Sequence, residues 1–164
     1  MTTLAIRFAK DRSGNAGAEM ALMLPLMLTV MFATFEAGHY FYNEQKIIEA
    51  VRNGARYAGR LPFSAYSCPS TMIGTTVNQI KTVTRTGKPD GTTPLIRDWT
   101  DGDIDVTVTC NSATTTGIYA GNSGGAPIVT VSATATYNSL FARALTGSSA
   151  TQVRASAQST VNGI

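Results

Sequence analysis

The stretch from Met20 to Phe35 constrains the fold more than any other part of the sequence, because none of its residues carries an ionisable side chain. It belongs to an apolar block of 21 residues, from Asn15 to Phe35, whose single charge is at Glu19. About 20 helical residues rise roughly 30 Å, the thickness of the hydrocarbon core of a bilayer. The block therefore predicts a helix that contacts membrane lipid and crosses the bilayer once.

The charges that flank this block predict its orientation. The first fourteen residues are mildly basic, with Arg7, Lys10 and Arg12 against one acid, Asp11. An excess of positive charge before the block predicts a cytoplasmic N-terminus, so the rest of the chain would lie on the other side of the membrane. A secretory signal peptide has the same basic start and apolar core, and it remains the competing interpretation. The poor cleavage sequence at 34–36 favours retention in the membrane.

The same helix is predicted to continue beyond the membrane. After Glu36, residues recur at spacings of three and four, as on one face of a helix. They are Phe41, Glu44, Ile48, Val51, Ala55 and Ala58. We expect one helix from about Asn15 to about Ala58, ended by Gly59 and Pro62. The chain then divides into a cytoplasmic leader (1–14), a transmembrane and amphipathic helix (15–60) and an extracytoplasmic domain (61–164).

Period-two alternation of apolar and polar residues predicts a sheet in the second part of the chain. The alternating segments are 104–110, 129–137 and 151–161. Such alternation is typical of a half-buried antiparallel sheet. A short helix capped by Ser70, with Ile73, Val77 and Ile80 on one face, and a helical crossover over Asn138–Thr146 complete the prediction. The fold class is α+β: a long N-terminal transmembrane helix followed by a small extracytoplasmic domain with an antiparallel β-sheet.

Composition and motifs argue against nucleic-acid binding, catalysis and metal binding. Charged residues make up 14% of the chain and the net charge is +3, without a basic run interleaved with aromatic residues, so we expect no nucleic-acid partner. The sequence has no recognisable nucleophile and base, and two cysteines and one histidine are too few for a structural zinc site. Asp101, Asp103 and Asp105 alternate as in a calcium loop but lack its glycine and bidentate glutamate, which favours a solvated strand entry. His39 is interpreted as a packing or interfacial residue. We expect neither catalysis nor a metal or other cofactor.

Cys68 and Cys110 are the two cysteines of the chain. An oxidising compartment outside the inner membrane permits a disulfide between them. Two buried free thiols are the alternative, since cysteine packs well in a core. The sequence favours the disulfide.

The start of the apolar block resembles the processing site of type IV pilin-like proteins. The run from Arg12 to Glu19 reads RSGNAGAE. In those proteins a prepilin peptidase cuts after a glycine, and the fifth mature residue is a glutamate. The resemblance implies cleavage after Gly14, Asn15 as the new N-terminus and Glu19 as the fifth mature residue.

A longer run, from Asp11 to Ala58, is similar to the TadE-like domain of tight-adherence (Flp) pilus assembly proteins. The shared features are a basic residue and glycine, an early acidic residue, a leucine–proline pair in the block, an E-x-G and a final G-A-R-Y-A. The last two are Glu36-Ala37-Gly38 and Gly54-Ala55-Arg56-Tyr57-Ala58. The C-terminal run over 129–158 is also similar to the usual ending of the family.

This resemblance implies a pilin-like structural protein, a minor pseudopilin or assembly component of a tight-adherence pilus. Its partners would be membrane lipid, other pilin-like subunits, the assembly machinery and the prepilin peptidase. Glu19 would neutralise the amine of a neighbouring subunit's Asn15; alternatively it lies solvated among lipid headgroups. The rival hypothesis is a membrane-tethered or secreted binding module, such as an adhesin domain.

Overall fold

One helix forms the N-terminal part of the protein. The computed structural model describes residues 15–68, 71–72, 74–122, 124–141 and 150–163. The first helix, α1 (Asn15–Gly59), has 45 residues and continues through Pro25. Its first half is rich in alanine, leucine and methionine, which have high helix propensity. The predicted helix from about Asn15 to about Ala58 is confirmed.

The two halves of α1 have different surroundings. From Ala16 to Met31 every residue is exposed, whereas a stripe in the second half is buried. The buried stripe consists of Ile47, Ala50, Val51, Gly54, Ala55, Ala58 and Gly59. The sequence placed Phe41 on this face, which is wrong, because its side chain is 60% exposed. Phe41 lies six residues before Ile47, where the buried stripe begins.

A three-stranded antiparallel sheet forms the second part of the fold. Its strands are β3 (Ile104–Asn111), β4 (Ala126–Asn138) and β5 (Ala150–Thr160), with β4 in the centre. Every second residue of β4 from Val129 to Tyr137 is buried, as the alternation predicted. The sheet is antiparallel throughout. The α+β fold class is therefore confirmed.

The connection between β4 and β5 differs from the prediction. Asn138, predicted to begin a helical crossover, is the last residue of β4 and pairs with Ala150. Strands β4 and β5 are antiparallel neighbours, so they form a hairpin. Residues 142–149, which held most of the predicted helix, lie outside the described residues.

A second helix and a small hairpin complete the fold. Helix α2 (Gly74–Thr86) matches the predicted short helix, with Ile80 fully buried. The predicted cap Ser70 and face residue Ile73 lie outside the described residues. Before α2, strands β1 (Tyr66–Ser67) and β2 (Thr71–Met72) pair antiparallel, which the sequence did not predict.

The hydrophobic core lies between the second half of α1, helix α2 and the apolar face of the sheet. Helix α1 packs across β4 and β5, and α2 packs against α1 and β3. Trp99 is also buried, and its indole Nε1 donates to the carbonyl oxygen of Thr134 at 2.8 Å. The second half of α1 is thus an integral part of the domain core.

Candidate functional site: the apolar segment of α1 and its junction with the sheet

The first half of α1 presents an apolar surface that the rest of the protein does not cover. We call residues 16–35 the apolar segment. Among the described residues, one helix is long and apolar enough to cross a membrane, Ala16–Gly59, and its most apolar window is not buried at all. Its exposed large side chains are Met20, Leu22, Met23, Leu24, Leu26, Met27, Leu28, Val30, Met31 and Phe35. Such a patch is far larger than a monomeric water-soluble surface normally shows, and it marks a membrane or protein contact.

Glu36, the first charged residue after the apolar segment, joins α1 to the end of β4. The hydroxyl of Tyr137 donates to Oε1 of Glu36 at 2.6 Å. The backbone N–H groups of Leu140 and Phe141 donate to Oε2 at 3.0 and 2.9 Å. Both carboxylate oxygens therefore have donors, and hydrogen bonds to a charged acceptor are the stronger kind.

His39 extends this hydrogen-bonded cluster by one helical turn. Its Nδ1 lies 3.2 Å from the Tyr137 hydroxyl, and its Nε2 lies 3.2 Å from Nδ2 of Asn43. Tyr137 has a single hydroxyl proton, which is directed to Glu36 in the 2.6 Å bond. The tautomer with its proton on Nδ1 donates to Tyr137 and accepts from Asn43 through Nε2, which gives each of these two contacts a donor and an acceptor. The packing role predicted for His39 is thus accompanied by a polar one.

The electrostatics of the junction follow from these hydrogen bonds. The Tyr137 hydrogen bond, with help from the two backbone N–H groups, holds the pKa of the Glu36 carboxyl below its ordinary value, although burial opposes the shift. Burial, and then the Glu36 carboxylate, raise the pKa of the Tyr137 hydroxyl above its ordinary value. At neutral pH the pair is therefore a carboxylate and a protonated phenol. We call the Glu36 carboxylate, with its donors Tyr137 and the N–H groups of Leu140 and Phe141, the clamp.

Aromatic contacts surround the clamp. The rings of Phe32 and Phe141 are 4.8 Å apart between centroids, and those of Tyr40 and Tyr137 are 5.2 Å apart. Phe32 lies in the apolar segment, one turn before Glu36. The end of the β4 strand and the residues after it are thus held against the last turn of the apolar segment.

Two glycines of α1 allow close approach by neighbouring elements. A Cβ added at Gly54 would overlap Oγ1 of Thr84, a fully buried residue of α2. A Cβ added at Gly59 would lie 2.9 Å from the carbonyl oxygen of Thr160, and the Gly59 carbonyl accepts from the N–H of Asn162 at 2.8 Å. Helices α1 and α2 therefore approach each other closely at Gly54.

The two cysteines form a disulfide. Cys68 and Cys110 are bonded, with their Cα atoms 5.8 Å apart. This bridge joins the segment after α1 to the end of β3, and it removes the alternative of two free thiols. A Cβ added at Gly124 would overlap Cβ of Cys68, so the loop before β4 packs directly against the bridge.

The remaining predicted site residues are those of the processing site and the aspartates at the start of β3. Gly14 lies outside the described residues, Asn15 begins α1, and Glu19 lies on the exposed first half of α1. Processing at Gly14 therefore stays a prediction. Asp101 forms an ion pair with Arg85 at 2.7 Å, and Asp103 accepts from the backbone N–H of Thr100. Nowhere in the described part of the chain do three or more His, Cys, Asp or Glu residues form a group that could hold a metal ion.

Sequence reasoning missed the clamp itself. Glu36 was noted only as part of the E-x-G feature, and Tyr137 only as an apolar position in a strand. The available signal was a carboxylate directly after the apolar segment, since charges at a membrane edge usually have a defined partner. The partner could not be identified, because Glu36 and Tyr137 are 101 positions apart in the chain.

A comparison with known protein families gives a match that lies almost entirely within α1. The model of the TadE-like protein family matches residues 14–56. This segment is TadE-like. The TadE-like segment contains the apolar segment, Glu36 and the close-packed Gly54, so the resemblance noted in the sequence is confirmed there. The similarity of the C-terminal run to the family stays a prediction, because the match ends at residue 56. Searches of curated proteins and of solved structures found no match to the chain.

Proposed function

We propose that this protein is a structural, membrane-anchored component of a bacterial tight-adherence pilus system. The observation that carries the proposal is the continuity of α1. Its exposed apolar half passes without interruption into the half that forms the domain core. A TadE-like segment covers both halves. Any subunit that binds the apolar half would thereby hold the α+β domain at a defined position.

The mechanism in this proposal is helix packing. In the inner membrane the apolar segment contacts lipid, and in an assembly it exchanges lipid for the helices of other pilin-like subunits. Inside a bilayer such exchange depends on van der Waals packing and on hydrogen bonds between helices, because lipid tails are as apolar as leucine. The domain from residue 61 onward would lie in the periplasm or on the pilus surface.

The proposal includes processing before assembly, as a minor pseudopilin would require. A prepilin peptidase would cut between Gly14 and Asn15, and Glu19 would then neutralise the new amine of a neighbouring subunit. What supports this step is the glycine-to-glutamate spacing at the start of the TadE-like segment.

The test is N-terminal sequencing of the protein extracted from membranes of piliated cells. An N-terminus at Asn15 supports processing and the pilin-like role. Cleavage near Phe35 would instead indicate secretion, and an N-terminus at Met1 would indicate an ordinary anchor, as in the rival binding-module hypothesis.

The Gly14→Val variant should stay uncut while still inserting into the membrane, because the peptidase requires a small residue before the cleaved bond. Gly17→Val is the matched control, since a Cβ at Gly17 meets no atom within 4 Å and the cleavage site keeps its glycine. Equal gel mobility of Gly14→Val and the parent protein would contradict the processing step.

A further inference from the structure

We propose that the Leu140–Phe141 pair is a second lipid-contacting element, seated in the headgroup and outer acyl region where α1 leaves the membrane. The inference rests on the membrane span that the proposed function includes. It concerns a different part of the chain, 104 and 105 positions after Glu36. Its ligand is a bilayer surface.

The depth of Phe141 follows from its contact with Phe32. If the apolar segment 16–35 spans the hydrocarbon, Phe32 lies three residues, or about 4.5 Å, inside its outer edge. The ring of Phe141 packs on the ring of Phe32 with centroids 4.8 Å apart. Phe141 must then lie at nearly the same depth, since its ring contacts a residue of the span. Interfacial apolar side chains are typically buried by about 5–10 Å, so this depth is an ordinary one.

Leu140 extends this apolar surface beyond the helix. Its side chain is 53% exposed, next to the partly buried Phe141. Water around such a residue is unfavourable, and the neighbouring Phe141 contacts Phe32 of the apolar segment. Because the surface of the pair is continuous with the surface of the span through the Phe32–Phe141 contact, lipid is the occupant that the geometry favours.

The backbone N–H groups of Leu140 and Phe141 have acceptors within the protein, as a region of low polarity requires. Backbone N–H groups that enter a membrane need acceptors within the protein, because the hydrocarbon offers none. The N–H groups of Leu140 and Phe141 both donate to the Glu36 carboxylate, which also accepts from Tyr137. The clamp therefore satisfies the polar groups that insertion of the pair would bring towards the lipid.

The opposite end of the domain supplies a matched control. Ile118 is 60% exposed, in the loop between β3 and β4. Its neighbour Tyr119 packs on Phe63, which follows the far end of α1. Ile118 thus has similar size and exposure to Leu140 but lies at the end of the domain remote from the span.

The experiment measures the depth of spin labels on the full chain in phosphatidylcholine–phosphatidylglycerol liposomes. Single cysteines are introduced as Leu140→Cys, Ile118→Cys and Met27→Cys, the last at the middle of the span. Both native cysteines are in the disulfide, so each label attaches at one position. Collision with dissolved oxygen, which concentrates in lipid, is compared with collision with a water-soluble nickel chelate.

We expect the oxygen-to-nickel ratio at Leu140 to be several-fold above that at Ile118 and nearer to that at Met27. The side chains of Leu140 and Ile118 are exposed, so labelling should leave the far-ultraviolet circular dichroism unchanged. A ratio at Leu140 equal to that at Ile118, with Met27 in lipid, would overturn this inference and leave the proposed function intact. A label at Met27 that contacts water would overturn the membrane span and both proposals.

Discussion

At the scale of single residues, the clamp on Glu36 depends on one hydroxyl. Tyr137 donates to the Glu36 carboxylate and lies against Nδ1 of His39, so its oxygen links two elements of the fold. Removing the oxygen would leave His39 and one carboxylate oxygen without their partner in a partly buried site. This makes Tyr137 the most informative residue of the junction.

Tyr137→Phe should lower the free energy of unfolding by about 1.5–3 kcal/mol, the range for a hydrogen bond to a charged group. Urea denaturation of the full chain in detergent, followed by circular dichroism, measures the change. Tyr42→Phe is the control, because Tyr42 lies on the same helix as Glu36 and is 57% exposed. Equal midpoints for the two variants would show that the clamp contributes nothing to stability.

Tyr66 gives a prediction on pH. Its hydroxyl donates to the carbonyl oxygen of Ala58 at 2.5 Å, and burial, followed by the nearby Tyr57, raises its pKa to about 12. The unfolded tyrosine titrates near its ordinary pKa of about 10. A raised pKa in the folded state means that stability is fully present below pH 10 and is lost as the pH rises from 10 towards 12.

Tyr66→Phe should therefore lose less stability than the parent protein between pH 9 and pH 11.5. The variant still loses some stability at alkaline pH, because it retains Tyr137, whose pKa is also raised. The measurement is the melting temperature of both proteins in detergent across that range. Parallel pH profiles would contradict the assignment to Tyr66.

At the scale of secondary structure elements, the sequence predicted what depends on local periodicity. The apolar segment, the alternation in β4 and the short helix around Ile80 are all local patterns, and all three are present. The β1–β2 hairpin escaped prediction because strands of two residues show no period. The start predicted for the helical crossover, Asn138, was wrong because pairing with Ala150 extends β4 through that residue.

The clamp could not be predicted from local periodicity. It joins Glu36 to residues that follow it by 101 to 105 positions, and a pattern within one element carries no information on such pairs. The disulfide was predictable as one of two alternatives, because the chain has only two cysteines.

Gly54→Ala and Gly38→Ala should change stability in opposite directions. Alanine has higher helix propensity than glycine, by about 1 kcal/mol, and a Cβ at Gly38 meets no atom within 4 Å. Gly38→Ala should therefore stabilise the helix. At Gly54 the new Cβ would overlap Oγ1 of Thr84, which is fixed by donation to the carbonyl oxygen of Ile80 at 2.8 Å.

Overpacking of a filled core costs about 1–3 kcal/mol, so Gly54→Ala should be destabilising in spite of its helix propensity. Urea midpoints of the two variants in detergent decide the matter. Stabilisation by both substitutions would mean that α1 and α2 are less closely packed than the structure shows.

At the scale of the whole molecule, α1 belongs to two environments at once. Its first half is exposed, and its second half supplies Ile47, Val51, Ala55 and Ala58 to the core, each at most 2% exposed. A division of the chain at residue 60 therefore separates a helix from the domain that it completes. The functional consequence is that the apolar segment is firmly connected to the sheet, because a force on that segment is transmitted through the packed side chains of α1.

This arrangement predicts where the chain can be shortened. A fragment of residues 36–164 should fold, because it keeps the buried stripe of α1 and the Glu36 clamp. A fragment of residues 61–164 should not fold. Burial of Ile47 and Val51 alone contributes about 3–6 kcal/mol, whereas a whole domain is typically stable by only about 5–15 kcal/mol.

Both fragments are to be produced in an oxidising compartment, so that Cys68 and Cys110 can pair in each. Cooperative urea unfolding is expected for residues 36–164 and absent for residues 61–164. The fragment of residues 61–164 would also expose the face of β4 that α1 covers, which includes Val129 and Val131, both 0% exposed in the full chain. A cooperative transition in that shorter fragment would show that the domain folds without α1, and the helix would then be an attachment to the core and not a part of it.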